Sequence, residues 1–92
     1  MKVELFASRG CQRCESAKRS LQAVVDEMGD NRLTWRAVDI LEEIDYAVAL
    51  GVVSIPAIAI DGELAFTSLP EREALRRALE ERLKSRRESP KP

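Results

Sequence analysis

Cys11 and Cys14 are the residues of this chain whose type and spacing point most directly to chemistry. They are its only two cysteines and lie three positions apart, so their sulfur atoms can form a disulfide or act as a thiol pair. The reactive form of cysteine is the thiolate, which attacks disulfides and binds metals. The sequence has no histidine, which excludes Cys/His zinc sites and histidine general bases. The pair is therefore predicted to be catalytic, metal-binding or merely structural, and the surrounding elements must distinguish these roles.

Four runs of apolar and β-branched residues predict the strands of a sheet. They cover residues 3–7, 33–38, 57–60 and 63–66, so the cysteine pair follows directly after the first strand. Asp61-Gly62 stands between the last two runs, and Asp-Gly between apolar runs is the strongest short hairpin signal. The last two strands are therefore predicted to be antiparallel neighbours.

Three helices are predicted from apolar residues that recur at helical spacing. The first covers about residues 11–28, Asp39 with Glu42 is predicted to cap the second, and Ser68 with Glu71 the third. Their predicted inner faces are Ala17, Leu21, Val24, Val25 and Met28; Leu41, Ile44, Ala47 and Val48; and Leu75, Ala78, Leu79 and Leu83. The order β-α-β-α-β-β-α predicts an α/β fold, with a four-stranded mixed sheet flanked by three helices.

Length and composition predict a single domain with few classes of partner. The 92 residues carry 15 Lys and Arg against 16 Asp and Glu, and they include one Trp, one Tyr and two Phe, so we expect no nucleic-acid binding. No run approaches the ~20 apolar residues of a membrane span, and Met1 leads directly into a strand without a signal-peptide pattern. We therefore expect a cytoplasmic monomer. Residues 1–84 are the predicted domain, and residues 85–92 are predicted to be a disordered basic tail.

Three short motifs, together with the order of elements, resemble the thioredoxin fold family, most closely glutaredoxins and small archaeal and bacterial thioredoxin-like proteins. The motifs are Gly10-Cys11-Gln12-Arg13-Cys14, Val53-Ser54-Ile55-Pro56-Ala57 and Ile60-Asp61-Gly62. Thioredoxins carry Gly-Pro between the cysteines and glutaredoxins usually carry Pro-Tyr, whereas this chain has Gln-Arg. In addition, residues 66–70 stand where glutaredoxins have a Gly-Gly-x-Asp segment that helps to hold glutathione. The resemblance therefore favours the superfamily rather than one branch.

The resemblance implies a thioredoxin-like thiol–disulfide oxidoreductase that reduces protein disulfides. Cys11 is predicted to be the attacking thiol, because it lies at the free amides of a helix start, and Cys14 the resolving thiol, because it lies one turn into the helix. The resemblance also implies that the Ile55–Pro56 bond is cis and lies beside the thiols. Arg13 is predicted either to stabilise the thiolate or to attract an acidic partner. The predicted substrate-binding residues are Arg9, Gly10, Gln12, Arg13, Ser54, Ile55 and Pro56.

We expect no metal and no cofactor beyond the Cys11–Cys14 disulfide, with glutathione as a further candidate. The expected partners are disulfide-containing proteins and, as electron donor, an upstream reductase or glutathione. A glutathione-linked protein is one alternative, and an iron–sulfur protein is another, since two thiolates alone cannot complete a tetrahedral site and a second chain or glutathione would have to. A redox-inert interaction module is a third. A purely structural bridge is disfavoured, because so short a loop stabilises by only ~2 kcal/mol.

Overall fold

The computed structural model describes residues 1–88 of the chain, with side chains described for residues 1–84. The elements follow the predicted order. They are β1 (Lys2–Ala7), α1 (Gln12–Met28), β2 (Thr34–Asp39), α2 (Ile44–Leu50), β3 (Ala57–Ile60), β4 (Glu63–Phe66) and α3 (Arg72–Glu88). The strands form one sheet in the order β2-β1-β3-β4, in which β1 and β2 are parallel and β3 is antiparallel to both β1 and β4. The predicted four-stranded mixed sheet with three helices is confirmed.

The central strand β1 divides the core into two layers. Its residues are buried from Val3 to Ala7, and successive side chains point to opposite faces of the sheet. Val3 and Leu5 pack with residues of α1 and α3, whereas Phe6 packs with Ala47 of α2. Helices α1 and α3 therefore cover one face of the sheet, and the short helix α2 covers the other.

Helix α1 begins and ends close to its predicted bounds. Cys11 is the N-cap residue, in an extended conformation, and Gly29 ends the helix in the left-handed region, where its N–H donates to the carbonyl of Val25 at 3.1 Å. The predicted inner face is confirmed, since Ala17, Leu21 and Val24 are buried and Val25 and Met28 pack partly buried against the same core. This packing fixes the helix start, and with it the cysteine pair, at the end of β1.

Helix α2 begins later than predicted. Asp39 ends β2 and does not cap the helix, because its carboxylate accepts the N–H of Leu41 at 2.8 Å and so forms a turn before the helix starts. Glu43 occupies the N-cap position and its side chain makes no capping hydrogen bond. The predicted pairing of Asp39 with Glu42 as a capping box is therefore wrong.

The buried face of α2 also differs from the prediction. Only Ala47 of the predicted inner face is buried, whereas Leu41, Ile44 and Val48 are 73%, 49% and 66% exposed. The helix has seven residues, and Tyr46 packs against the sheet beside Ala47. Leu50 packs against the same cluster, whereas Ile44 and Val48 point outward and Leu41 lies in the turn before the helix.

Helix α3 begins after Pro70 and not at Ser68. The residue before a proline is disfavoured in the helical region, so the predicted capping box does not form. The carbonyl of Glu71 instead accepts the N–H of Leu75 at 3.0 Å as the helix opens. The predicted inner face is confirmed: Leu75, Leu79 and Leu83 are buried and Ala78 is half-buried.

The C-terminal segment differs in part from its prediction. Helix α3 continues to Glu88, so residues 85–88, which were assigned to a disordered tail, are helical. Residues 80–88 consist largely of Glu, Arg, Lys and Leu, which favour helix even without tertiary contacts. Residues 89–92 lie outside the described residues, and the disorder predicted for them stays a prediction. Within residues 1–88, no helix is long and apolar enough to cross a membrane.

Candidate active site

The two cysteines form a disulfide at the junction of β1 and α1. Their Cα atoms are 5.2 Å apart, within the range that a disulfide requires. Gly10 turns the chain just before them with φ of 79°, a left-handed conformation that side chains other than glycine rarely adopt. Cys11 is half-buried, whereas Cys14 is fully buried. The two sulfur atoms are therefore unequal in their access to solvent.

The start of α1 stabilises negative charge on the sulfur of Cys11. Its Sγ atom accepts a hydrogen bond from the backbone N–H of Cys14 at 3.1 Å, and this is the capping bond of the helix. The amides of the first helical turn and the positive end of the helix dipole both favour an anion at this position. When the disulfide is reduced, this environment favours the thiolate at Cys11.

Arg9 lies on one side of the cysteine pair and is already engaged with carboxylates. Its Nε atom lies 3.6 Å from Asp39 Oδ2, and its Nη2 atom lies 3.4 Å from Glu42 Oε2. These contacts join the loop after β1 to the turn after β2. With Gly10, Arg9 lines a cavity of about 310 Å³ that also includes Glu15. Because acidic groups surround Arg9, its charge is largely offset.

Arg13 lies on the other side and lines a second cavity, of about 270 Å³, which we call the Arg13 cavity. Its lining comes from three segments: Arg13; Ser54, Ile55 and Pro56; and Thr67, Ser68 and Leu69. The Ile55–Pro56 bond is cis, which is the isomer that the resemblance implies. The structure thus brings four predicted site residues together here, whereas Gln12 is exposed and lines neither cavity.

The segment from Thr67 to Leu69 was missed as part of the site. Ser68 is predicted from sequence to cap a helix, but the segment is a loop before α3 that borders the Arg13 cavity. The Ser54 hydroxyl donates to the carbonyl of Thr67 at 3.0 Å and so ties the two loops together. The available signal was the position of residues 66–70, which correspond to the segment that helps glutaredoxins to hold glutathione.

Glu4 is the one fully buried charged residue within the described part of the chain. Its carboxylate accepts hydrogen bonds from the Tyr46 hydroxyl and from Arg36, whose Nη2 atom lies 2.7 Å away. Burial alone would raise the pKa of Glu4, but these hydrogen bonds and the positive charge of Lys2 outweigh it, so the pKa is lowered. Strand alternation places Glu4 on the α2 face of the sheet, opposite the helix that carries Cys14.

Comparison with known proteins decides the family. The Thioredoxin domain family matches residues 1–80 of this chain. A thioredoxin from Methanocaldococcus jannaschii is 35% identical over 83 residues, which cover 90% of this chain and 96% of the relative. The chain belongs to the thioredoxin family. A probable thioredoxin from Methanothermobacter marburgensis is 31% identical over 83 residues, again covering 90% of this chain and 96% of the relative.

Solved thioredoxin structures share the fold of this family member. Thioredoxin 1 from Thermosipho africanus superposes with a TM-score of 0.76 at 17% identity, covering 96% of this chain and 100% of that structure. Mitochondrial thioredoxin 3 from Saccharomyces cerevisiae gives a TM-score of 0.65 at 20% identity, covering 87% and 76%. With the Cys11–Cys14 disulfide at the start of α1, this thioredoxin-family chain is a thiol–disulfide oxidoreductase.

Proposed function

We propose that this protein reduces disulfide bonds in other proteins, with Cys11 as the attacking thiol and Cys14 as the resolving thiol. The observation that carries the proposal is the unequal exposure of the two sulfurs: Cys11 is half-buried at the helix start and Cys14 is fully buried. A disulfide on another protein can approach Cys11 directly, but it cannot approach Cys14 without disturbing the core. The proposed order of attack follows from this difference.

The proposed reaction has two exchange steps. The Cys11 thiolate attacks one sulfur of the substrate disulfide, so that a mixed disulfide forms and the other substrate sulfur leaves as a thiolate that takes up a proton. Cys14 then loses its proton and attacks the Cys11 sulfur. The Cys11–Cys14 disulfide forms, and the second substrate sulfur leaves as a thiolate that takes up a proton in place of the one that Cys14 released. The substrate gains two electrons and two protons, and the enzyme dithiol supplies the electrons.

An upstream disulfide reductase is the proposed electron donor, since the oxidised enzyme must regain two electrons after each turnover. Glutathione is the alternative donor. The two are distinguished by following the oxidised protein over time with a thioredoxin reductase system and, separately, with a glutathione buffer. The free thiols of Cys11 and Cys14 are then counted by mass spectrometry after alkylation, and the donor that reduces the pair faster identifies the route.

Substrate binding is proposed to use the loop from Ser54 to Pro56. Support comes from its place at the rim of the Arg13 cavity, beside the first turn of the helix that carries both cysteines. In this arrangement the backbone N–H and carbonyl of Ile55 pair with an extended segment of the substrate. Gln12, which is exposed in the same helical turn, is proposed to contact the substrate as well.

Two serine variants test the assignment of the cysteines. With reduced protein and insulin as the disulfide substrate, Cys14→Ser should accumulate a mixed disulfide through Cys11, detected by mass spectrometry and released by dithiothreitol. Cys11→Ser should form no such adduct and should lose turnover, because the buried Cys14 cannot reach the substrate. Full reductase activity in Cys11→Ser, or trapping by that variant alone, would reverse the proposed roles.

A further inference from the structure

The Arg13 cavity has an unbalanced charge. Its polar side chains are the Arg13 guanidinium and the hydroxyls of Ser54, Thr67 and Ser68, all of which can donate hydrogen bonds. Among the residues whose side chains the structure describes, no aspartate or glutamate lines it. The cavity on the opposite side of the cysteines differs, because there Glu15 and Asp39 stand among the lining residues with Arg9 and Lys18. Of the two cavities, the Arg13 cavity is therefore the one suited to an anionic group.

Arg13 itself is available to a ligand. It is exposed, and among residues 1–84, whose side chains the structure describes, no acidic side chain forms an ion pair with it. Arg9, by contrast, contacts both Asp39 and Glu42. A guanidinium binds a carboxylate through parallel N–H donors with defined geometry, so an unpaired arginine at a cavity rim selects for that group.

The shape of the cavity suits a side chain rather than a broad surface. Its volume is about 270 Å³ and its floor includes the buried ring of Pro56, while Leu69 contributes an apolar wall. The hydrogen bond from Ser54 to the carbonyl of Thr67 holds the two loops at a fixed separation. Arg13 lies between Cys11 and Cys14 in the first turn of α1, so a group that it binds is held close to the attacking sulfur.

We propose that the Arg13 cavity binds an aspartate or glutamate side chain of the substrate protein beside the disulfide under attack, and that Arg13 determines this specificity. The inference rests on the proposed function and names the substrate class that the site prefers. The apolar wall contacts the methylene groups of the acidic side chain, and the guanidinium with the hydroxyls of Thr67 and Ser68 holds its carboxylate. The carboxylate orients the substrate sulfur toward Cys11 and takes no part in the exchange itself.

Matched disulfide peptides test this preference. Each peptide carries Glu, Gln or Lys at one test position and is otherwise identical to the others. The test positions are the two residues before and the two residues after one disulfide cysteine. For at least one position, wild-type protein should reduce the Glu peptide with a kcat/KM roughly five-fold higher than that of the Gln peptide. In Arg13→Gln this ratio should fall to about one, and in Arg13→Glu the Lys peptide should become the best substrate. Because each ratio is taken within one variant, any effect of Arg13 on the thiolate cancels.

Arg19→Gln is the control, since Arg19 is an exposed arginine on the same helix and does not line the Arg13 cavity. It should keep the five-fold preference. A ratio near one in wild-type protein at every position, or an equal loss in Arg19→Gln, would overturn the inference while reduction of the Gln peptide still supports the proposed function. In a further outcome, the wild-type protein reduces glutathione disulfide faster than the Glu peptide and loses this activity in Arg13→Gln. That result would overturn the inference, because the carboxylate bound by Arg13 would then come from glutathione and not from a protein side chain. If no peptide is reduced, the proposed function itself fails.

Discussion

Cys11 and Cys14 have different surroundings because they lie one helical turn apart. At the N-cap, Cys11 receives a backbone hydrogen bond and reaches the surface. One turn later, Cys14 faces inward with Ala17 and Leu21 and is removed from solvent. The helical repeat of 3.6 residues thus separates an accessible sulfur from a protected one. This asymmetry is predictable from sequence, because it needs only the helix start and its apolar face.

Alkylation of the reduced protein checks this asymmetry. Iodoacetamide in limiting amount should modify Cys11 faster than Cys14, on the order of ten-fold or more, because Cys11 is accessible and its thiolate is favoured by the helix start. Peptide mapping by mass spectrometry measures the two rates. A urea-unfolded sample serves as the control, in which the two rates should become similar. Equal rates in the folded protein would contradict the proposed order of attack.

Arg9 and Arg13 differ in their contacts in a way that the sequence does not predict. Both lie two positions from Cys11 in the sequence, on either side of it, and both are predicted to bind substrate. The structure pairs Arg9 with Asp39 and Glu42, which lie thirty or more positions away, and leaves Arg13 at a cavity rim. Sequence proximity cannot distinguish the two arginines, because the difference depends on where β2 ends relative to β1.

At the scale of elements, the Glu4 carboxylate joins three segments of the fold. Glu4 lies in β1, its donor Arg36 in β2 and its donor Tyr46 in α2. Arg36 also contacts Glu43 at 3.3 Å, which holds the segment just before α2. Since α2 has few buried apolar residues, these polar contacts supply much of what fixes it against the sheet. Stability of this layer should therefore depend on pH.

Tyr46→Phe is predicted to weaken this layer and to change its response to acid. At pH 7 the variant should lose about 1–2 kcal/mol of unfolding free energy, since Glu4 stays buried with one donor fewer. In wild-type protein the lowered pKa of Glu4 stabilises the fold above the ordinary value of 4.5, and this contribution is lost as pH falls through the lowered pKa. In the variant that pKa is less depressed, so stability should fall less between pH 6 and pH 3.

At alkaline pH the stabilising contribution of Tyr46 is lost as pH rises, the opposite direction to that of Glu4. The hydrogen bond to Glu4, then burial, raise the pKa of Tyr46 above its ordinary value of 10.0, so its contribution is present below pH 10.0 and is lost as pH rises through the raised pKa. Urea unfolding, followed by Trp35 fluorescence at a series of pH values, measures the dependence of stability on pH on both the acid and the alkaline side. Glu80→Gln, which removes an exposed partner of Arg76, is the control and should change the pH dependence of stability little on either side. If Tyr46→Phe lost as much stability between pH 6 and pH 3 as the wild-type protein, the proposed effect of the Tyr46 hydroxyl on the pKa of Glu4 would be refuted.

How far the sequence predicts the elements depends on whether their signals are local. The hairpin turn at Asp61-Gly62 matches its prediction, and both residues have positive φ, of 51° and 82°. Helix α2 does not match, because its apolar pattern fits two possible faces and only packing against β1 selects the one with Tyr46 and Ala47. The partners of Glu4 could not be predicted from local sequence either, since they lie 32 and 42 positions away.

For the whole molecule, the two faces of the sheet are covered unequally. Helices α1 and α3 are long and bury a cluster that includes Leu21, Leu75 and Leu79. The opposite face has only α2 and a cluster that contains three alanines. The larger cluster should therefore provide most of the hydrophobic stability. Its last buried member in the chain is Leu79, and Leu83 follows as a further buried residue of α3.

Removal of residues 85–92 tests where the stable domain ends. The free energy of unfolding of the shortened chain should lie within about 1 kcal/mol of that of the full chain, because Leu75, Leu79 and Leu83, the buried residues described in α3, precede the cut. Leu79→Ala in the full chain is the comparison and should cost about 2–5 kcal/mol. Both are measured by urea unfolding at pH 7. A loss from truncation as large as that of Leu79→Ala would show that the domain extends beyond residue 84.

The buried position of Glu4 has a consequence for how β1 can align with its neighbours. In the native register Glu4 lies opposite Arg36 in β2 and Ala59 in β3. A shift of β1 by one residue would turn every side chain to the other face and drive this carboxylate between α1 and α3, among leucines that offer it no donor. Burying an unpaired charge costs several kcal/mol. The residue whose contacts hold α2 to the sheet in the native register thus also disfavours a misaligned chain during folding, because its charge would there be buried without a partner.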